Sequence, residues 1–149
     1  MNVMGIAQFE RFFRTAASLD VDKEDLRRYN DFVNDKLFDL LLVAQATAKA
    51  NIRDIIQSHD LPTTKGLQEC IHAFNKLDEV IELSPILEQI LARPPLDLGY
   101  SEETEARLPQ IAGGLSFALA RTFKILHPTL KNPRPEHWQQ GFRIFDQLL

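Results

Sequence analysis

The stretch from Asp22 to Ile52 contains neither glycine nor proline, and this constrains the fold more than any other feature of the chain. Asp22 is a good helix N-cap, and Asp25 stands three residues on, where a capping box is completed. Asp31, Asp35 and Asp39 are interleaved with Arg27, Arg28 and Lys36 at spacings that bring opposite charges one helical turn apart. Tyr29, Phe32, Val33, Leu37, Leu40, Leu41, Ala44 and Ala48 recur every three or four residues as one apolar stripe. Phe38, Leu42 and Val43 widen it to most of the circumference, so the spacing predicts a long helix that neighbours must cover from several sides. At about 1.5 Å per residue it would be about 45 Å long. It is not a membrane span, because Asp39 and Lys49 bracket an apolar run far short of the roughly 20 residues a bilayer requires.

The flanking segments read as shorter helices packed on this one. Val3 to Ser18 carries Ile6, Phe9, Phe12, Phe13 and Ala16 on one side, and Leu19-Asp20-Val21 links it to the long helix. Downstream, Ile55-Ile56 is a brief β-prone run able to pair with another loop. Ser58 or Asp60 is expected to cap a third helix, with Pro62 in its first turn and Leu67, Cys70, Ile71, Phe74 and Leu77 facing inward.

The order then repeats. Ser84-Pro85 starts a helix that Pro94-Pro95 ends, and Leu96-Asp97-Leu98 matches the first link. Ser101 caps a second long helix with Leu108, Ile111, Ala112, Leu115, Leu119, Thr122, Phe123 and Leu126 at helical spacing. Pro109 requires that this helix start late or kink early, and Gly113-Gly114 is expected either where the two long helices cross or at a flexible joint. A last helix carries Trp138, Phe142, Phe145 and Leu148. The pattern predicts an all-α fold, with residues 1–149 forming one compact domain of two similar parts, about 1–78 and 79–149.

A chain of 149 residues buries about 70% of its surface on folding, enough to need no disulfide framework. The net charge of -4 argues against generic adhesion to nucleic acid or anionic lipid. Lacking a secretory signal pattern and holding one cysteine, the sequence points to the cytoplasm. His59, His72, His127 and His137 have no metal-ligand spacing, and Cys70 reads as a buried structural thiol. No phosphate-binding loop, nucleophile elbow or zinc-protease motif occurs, so no metal and no cofactor is expected.

A helix, link, long helix, link, helix unit used twice resembles the histone fold, in which two such units clasp by crossing their long helices head to tail. Phe9 to Ala16 is similar to the first helix of archaeal histones, and Arg53 with Asp60, seven positions apart, looks like their clamp between second loop and third helix. The whole chain resembles a bacterial histone-fold doublet family, domain of unknown function 1931, which would make it an intramolecular pseudodimer. A guanidinium fork suits such a clamp because it can hold a carboxylate bidentately.

The resemblance also implies DNA-binding positions, for which the candidates are Arg11, Arg14, Lys49, Arg53, Lys131 and Arg134, with Arg93 nearby in the second part. Where archaeal histones grip phosphate, however, this sequence carries Asp20, Asp54, Ile55 and Gln57. The favoured expectation is therefore a non-enzymatic histone-fold module acting through protein contacts, including homo-oligomerisation. An architectural DNA-binding protein is the alternative, and a small helical enzyme ranks third.

Overall fold

The computed structural model describes residues 3–92 and 95–149. Six α-helices and two short strands follow one another among the described residues: α1 (Val3–Ala17), α2 (Lys23–Ala50), β1 (Ile55–Ile56), α3 (Lys65–Ile81), α4 (Ser84–Ile90), β2 (Gly99–Tyr100), α5 (Glu102–Leu126) and α6 (Pro135–Leu148). The protein is thus all-α, with one minimal parallel pairing of β1 on β2 in which Ile55 faces Gly99 and Ile56 faces Tyr100. No helix among the described residues is long and apolar enough to cross a membrane.

α2 begins as its sequence dictates. The Asp22 side chain accepts from the Asp25 amide at 2.9 Å, and the Asp25 side chain accepts from the Asp22 amide at 3.0 Å. Burial pushes the Asp25 carboxyl above its ordinary range, while the bond from the Asp22 amide pulls the other way. Leu26, Tyr29, Phe32, Val33, Leu37, Leu40, Leu41, Ala44 and Ala48 are all buried. The helix meets α5 at a buried contact in which the Tyr29 hydroxyl lies 2.6 Å from Ser116 Oγ, and Ser116 Oγ donates to the Ala112 carbonyl at 2.7 Å. Burial drives the Tyr29 phenol upward, so this hydroxyl stays protonated.

Aromatic rings fill the space around that contact. Phe9 and Phe13 both pack on Tyr29, Phe12 meets Phe74, and Trp138 sits between Phe13 and Phe123. Phe32 stacks on Phe142 with centroids 5.1 Å apart and the planes within 7° of parallel. These contacts bring α1, α3, α5 and α6 onto one core along the length of α2.

Several local expectations need correction. α3 starts at Lys65, capped by the Thr64 hydroxyl, because Ser58 to Asp60 forms a separate 3-10 turn and Pro62 precedes the helix. α5 starts at Glu102 and continues through Pro109, so it does not start late. Gly113 and Gly114 mark a close approach of α5 to α3, not to α2: a Cβ on Gly113 would enter the Phe74 ring, and one on Gly114 would come within 3.1 Å of the Ile71 backbone nitrogen. Cys70 is half-buried, and Leu148 is 74% exposed. α4 ends at Ile90; Arg93 and Pro94 of the expected Pro94-Pro95 stop lie outside the described residues.

Gly113→Ala should destabilise the fold by about 1–3 kcal/mol through overpacking against Phe74. Gly66→Ala, in open space on α3, should be neutral or stabilising by up to about 1 kcal/mol. Urea unfolding of both variants measures the contrast.

Candidate functional site

The loops at the two ends of the long helices gather most of the candidate residues. At one end α2 stops at Ala50, and Ile52 takes up a left-handed conformation with φ 57. The Ile52 amide then donates to the Lys49 carbonyl at 3.0 Å and the Arg53 amide to the Ala48 carbonyl at 2.9 Å, the paired bonds of a Schellman ending. A β-branched residue is costly in this conformation, and Ile52, at 95% exposed, gains almost no burial in return. The turn directs Arg53 towards Asp60.

Arg53 and Asp60 form a bidentate pair, with Nη1 to Oδ2 at 2.5 Å and Nη2 to Oδ1 at 2.6 Å. The Asp60 side chain is 0% exposed and that of Arg53 30%, so a guanidinium at the surface holds a buried carboxylate. Asp60 Oδ2 also accepts from the Gln57 amide at 2.8 Å, which closes the 3-10 turn. The Arg53 bond, opposed by burial and aided by the Gln57 amide, holds the Asp60 carboxyl down at about 2.

The same loop joins the one that precedes α5. Besides the β1–β2 pairing, the Ser101 amide and the Thr104 hydroxyl both donate to the Ile56 carbonyl, at 3.0 and 2.9 Å. Lys49 reaches Asp97 at 2.7 Å, and this bond holds the Asp97 carboxyl below its usual range. Gln45 Oε1 accepts from the Leu98 amide at 3.0 Å. At the other end the loop after α1 meets the loop after α5, where the Asp20 amide donates to the Lys131 carbonyl at 2.7 Å. Arg14 lies 3.4 Å from Asp20, and Lys124 donates to the Leu130 carbonyl at 2.6 Å.

The six candidate cations are therefore divided between two ends. Lys49 and Arg53 sit at one, Arg14 and Lys131 at the other, with Arg134 at the start of α6 and Arg11 on the exposed side of α1. Arg14, Lys49 and Arg53 each face a carboxylate of the same chain. Arg11, Lys131 and Arg134 are exposed and make no ion pair among the described residues. Sequence reasoning missed the engagement of Lys49 by Asp97, for which their separation of 48 positions leaves no local signal. It also missed Asn34, which donates to the Ile90 carbonyl and accepts from the Ala92 amide, fixing the end of α4 to α2.

An all-α protein built on two long helices, with a loop pairing at each end, is the class these features define. The chain belongs to the family described as Domain of unknown function (DUF1931), whose model matches residues 9–146. It is similar to a protein of Thermus thermophilus of known crystal structure, with 51% identity, 97% of each chain covered and a TM-score of 0.86. A second crystal structure, of a protein from Aquifex aeolicus, matches at 27% identity and TM-score 0.86 over 97% of this chain and 95% of that one. An uncharacterised protein of Aquifex aeolicus (strain VF5) is 29% identical over 80% of this chain and 70% of its own length.

Two outcomes are expected here. The folded-state carboxyl of Asp60 titrates below its ordinary 3.8, so its contribution is fully present above about pH 4 and is lost as pH falls towards 2. Asp60→Asn should remove this contribution, on the order of 2 kcal/mol, and flatten the stability profile across that window in denaturant titrations. Ile52→Gly should raise stability by about 1 kcal/mol by relieving the left-handed isoleucine, read as an increase in thermal midpoint.

Proposed function

We propose that the chain is a histone-fold doublet, with two helix, loop, long helix, loop, helix units at about residues 1–78 and 79–149. The units clasp as an intramolecular pseudodimer in one compact domain. The short, long, short order of α1 to α3 and again of α4 to α6 supports this reading. So does a reciprocity: the loop after α2 meets the loop before α5, and the loop after α5 meets the loop before α2. That exchange is what an approximate two-fold relation between the units requires. The bidentate Arg53–Asp60 pair supports it too, as the counterpart of the clamp that the resemblance to histones implies.

We infer further that the protein acts in the cytoplasm without catalysis, as a module for protein contacts that include self-association. The observation that favours this reading over DNA binding is the pairing of Arg14, Lys49 and Arg53 with Asp20, Asp97 and Asp60. Each phosphate contact adds a salt-dependent increment to DNA affinity, and a cation already held by its own chain's carboxylate gives little of it. Architectural DNA binding is the second reading, favoured by the exposure of Arg11, Lys131 and Arg134.

A duplex-DNA titration separates the two. The wild-type protein should show no binding at about 50 mM salt, where electrostatic attraction is strongest. The double variant Asp20→Asn/Asp97→Asn, which frees Arg14 and Lys49, should gain measurable affinity that falls steeply with added salt. Saturable wild-type binding with a steep salt slope would overturn the protein-contact reading in favour of the DNA-binding one.

A further inference from the structure

Aligned on their caps, Asp22 for α2 and Ser101 for α5, the two long helices differ at one telling position. The third helical residue is Asp25 in α2 and Thr104 in α5, while the sixth is arginine in both, Arg28 and Arg107. Arg28 lies 3.5 Å from the Asp25 carboxylate. Thr104 offers no such partner: it is buried, and its hydroxyl donates to the Ile56 carbonyl at 2.9 Å and lies 2.8 Å from the Ser101 hydroxyl. The second helix therefore repeats the arginine without the acid that holds it.

Arg107 also stands apart from the other cations. Among the described residues, the lysines and arginines drawn in from full exposure are Arg28, Lys36, Arg53, Lys124 and Arg107. The first four end on acceptors of this chain: Asp25, Asp39 with Asp146, Asp60 and the Leu130 carbonyl. The half-buried side chain of Arg107 makes no ion pair and no hydrogen bond among the described residues. Glu103, one turn earlier on α5, is exposed and forms no ion pair with it. A guanidinium partly withdrawn from water without an acceptor is unfavourable, and an arriving anion relieves this.

The site into which such an anion would fit is a cleft between α3 and α5. Arg107 lines it with Gln68, Ile71, His72 and Asn75, which form one row of α3, around a space of about 450 Å³. No carboxylate belongs to the lining. The amide nitrogen of Gln68 is committed to the Thr63 carbonyl at 3.2 Å. The donors left are the guanidinium, the His72 imidazole and the Asn75 carboxamide, beside the apolar side chain of Ile71. The planar fork of an arginine matches a carboxylate bidentately. With a single arginine lining the cleft, a singly charged carboxylate is balanced, whereas a phosphate group, at about -1.5 to -2, leaves charge unmatched.

We propose that the α3–α5 cleft is a carboxylate-binding site, in which the ligand supplies to Arg107 what Asp25 supplies to Arg28. Arg107 grips the two carboxylate oxygens, His72 and Asn75 donate to them from α3, and Ile71 packs on a short apolar stem. That stem and its carboxylate belong either to a free aliphatic acid or to a glutamate side chain, which share this chemistry. The site is independent of whether the chain associates with itself or binds DNA.

Titration of the full chain, followed through the Arg107 Nε–H signal by nitrogen-15 NMR, tests the proposal. Butyrate should shift this signal saturably with a Kd of about 1–10 mM and more weakly as salt is added. Arg107→Gln, with folding confirmed by circular dichroism, should weaken binding at least about tenfold, read at His72, and Arg107→Lys should fall between. Arg143→Gln, at an exposed cation outside the cleft, should leave it unchanged. The capped peptide acetyl-Ala-Glu-Ala-amide separates the two sources: tighter binding than butyrate assigns the site to a protein side chain, and weaker binding to a free acid. Shifts of equal size at Arg107 and Arg143, or butyrate binding indifferent to Arg107→Gln, would overturn the site. Inorganic phosphate binding tenfold more tightly than butyrate would overturn its assignment to carboxylates.

Discussion

A helix of 28 residues whose inward face is buried from Asp25 to Ala48 has to be covered on that face along nearly its whole length, and the rest of the structure follows from that requirement. A neighbour crossing α2 at an angle touches only a few of its turns. The covering is therefore shared: α1 and α5 at the Tyr29 turn, and α6 at Phe32 and Lys36. The loop before α5 closes over Gln45 and Lys49. Burying polar Tyr29 within this core is tolerable because Ser116 supplies a partner for its hydroxyl.

The polar residues of α2 are as structural as its apolar ones. Asn34 satisfies the carbonyl of Ile90 and the amide of Ala92, and Gln45 the amide of Leu98, so backbone groups that neither helix nor strand would pair find partners on the side of α2. Lys36, with its side chain 5% exposed, shows the same economy with charge. Burial alone would depress its ammonium, yet bonds to Asp146 and Asp39 outweigh this and raise it, so the lysine stays charged while tying α2 to α6. Asp78 acts likewise between α3 and α4, accepting from the amides of Leu83 and Ser84 and from the Ser84 hydroxyl.

Local signals were legible in the sequence, and signals set by distant packing were not. The Asp22–Asp25 box, the Ser101 cap and the apolar stripe of α2 are decided within a turn or two, and each stands where its spacing put it. The beginning of α3 went elsewhere because the Asp60 carboxylate is committed to Arg53 and Gln57, leaving Thr64 to cap. Gly113 and Gly114 announce a close approach, yet only tertiary packing determines that α3 is the helix that approaches. Leu148 continues the spacing of α6 but remains at the surface. The candidate cations could be named from sequence, whereas the carboxylate that occupies Lys49 lies 48 positions on and depends on how the loops come to lie together.

The fully buried Trp138 has a consequence for how the protein is made. Its indole packs between Phe13 of α1 and Phe123 of α5, and its helix also supplies Phe142 and Phe145 to Phe32 of α2. Synthesis proceeds from the N-terminus, so α6 leaves the ribosome after every surface it covers. Until then the rings of α1, α2 and α5 lack their lid, and the nascent chain carries an apolar face open to other chains or to a chaperone. The vulnerable moment in the life of this molecule is the interval before its last described helix arrives.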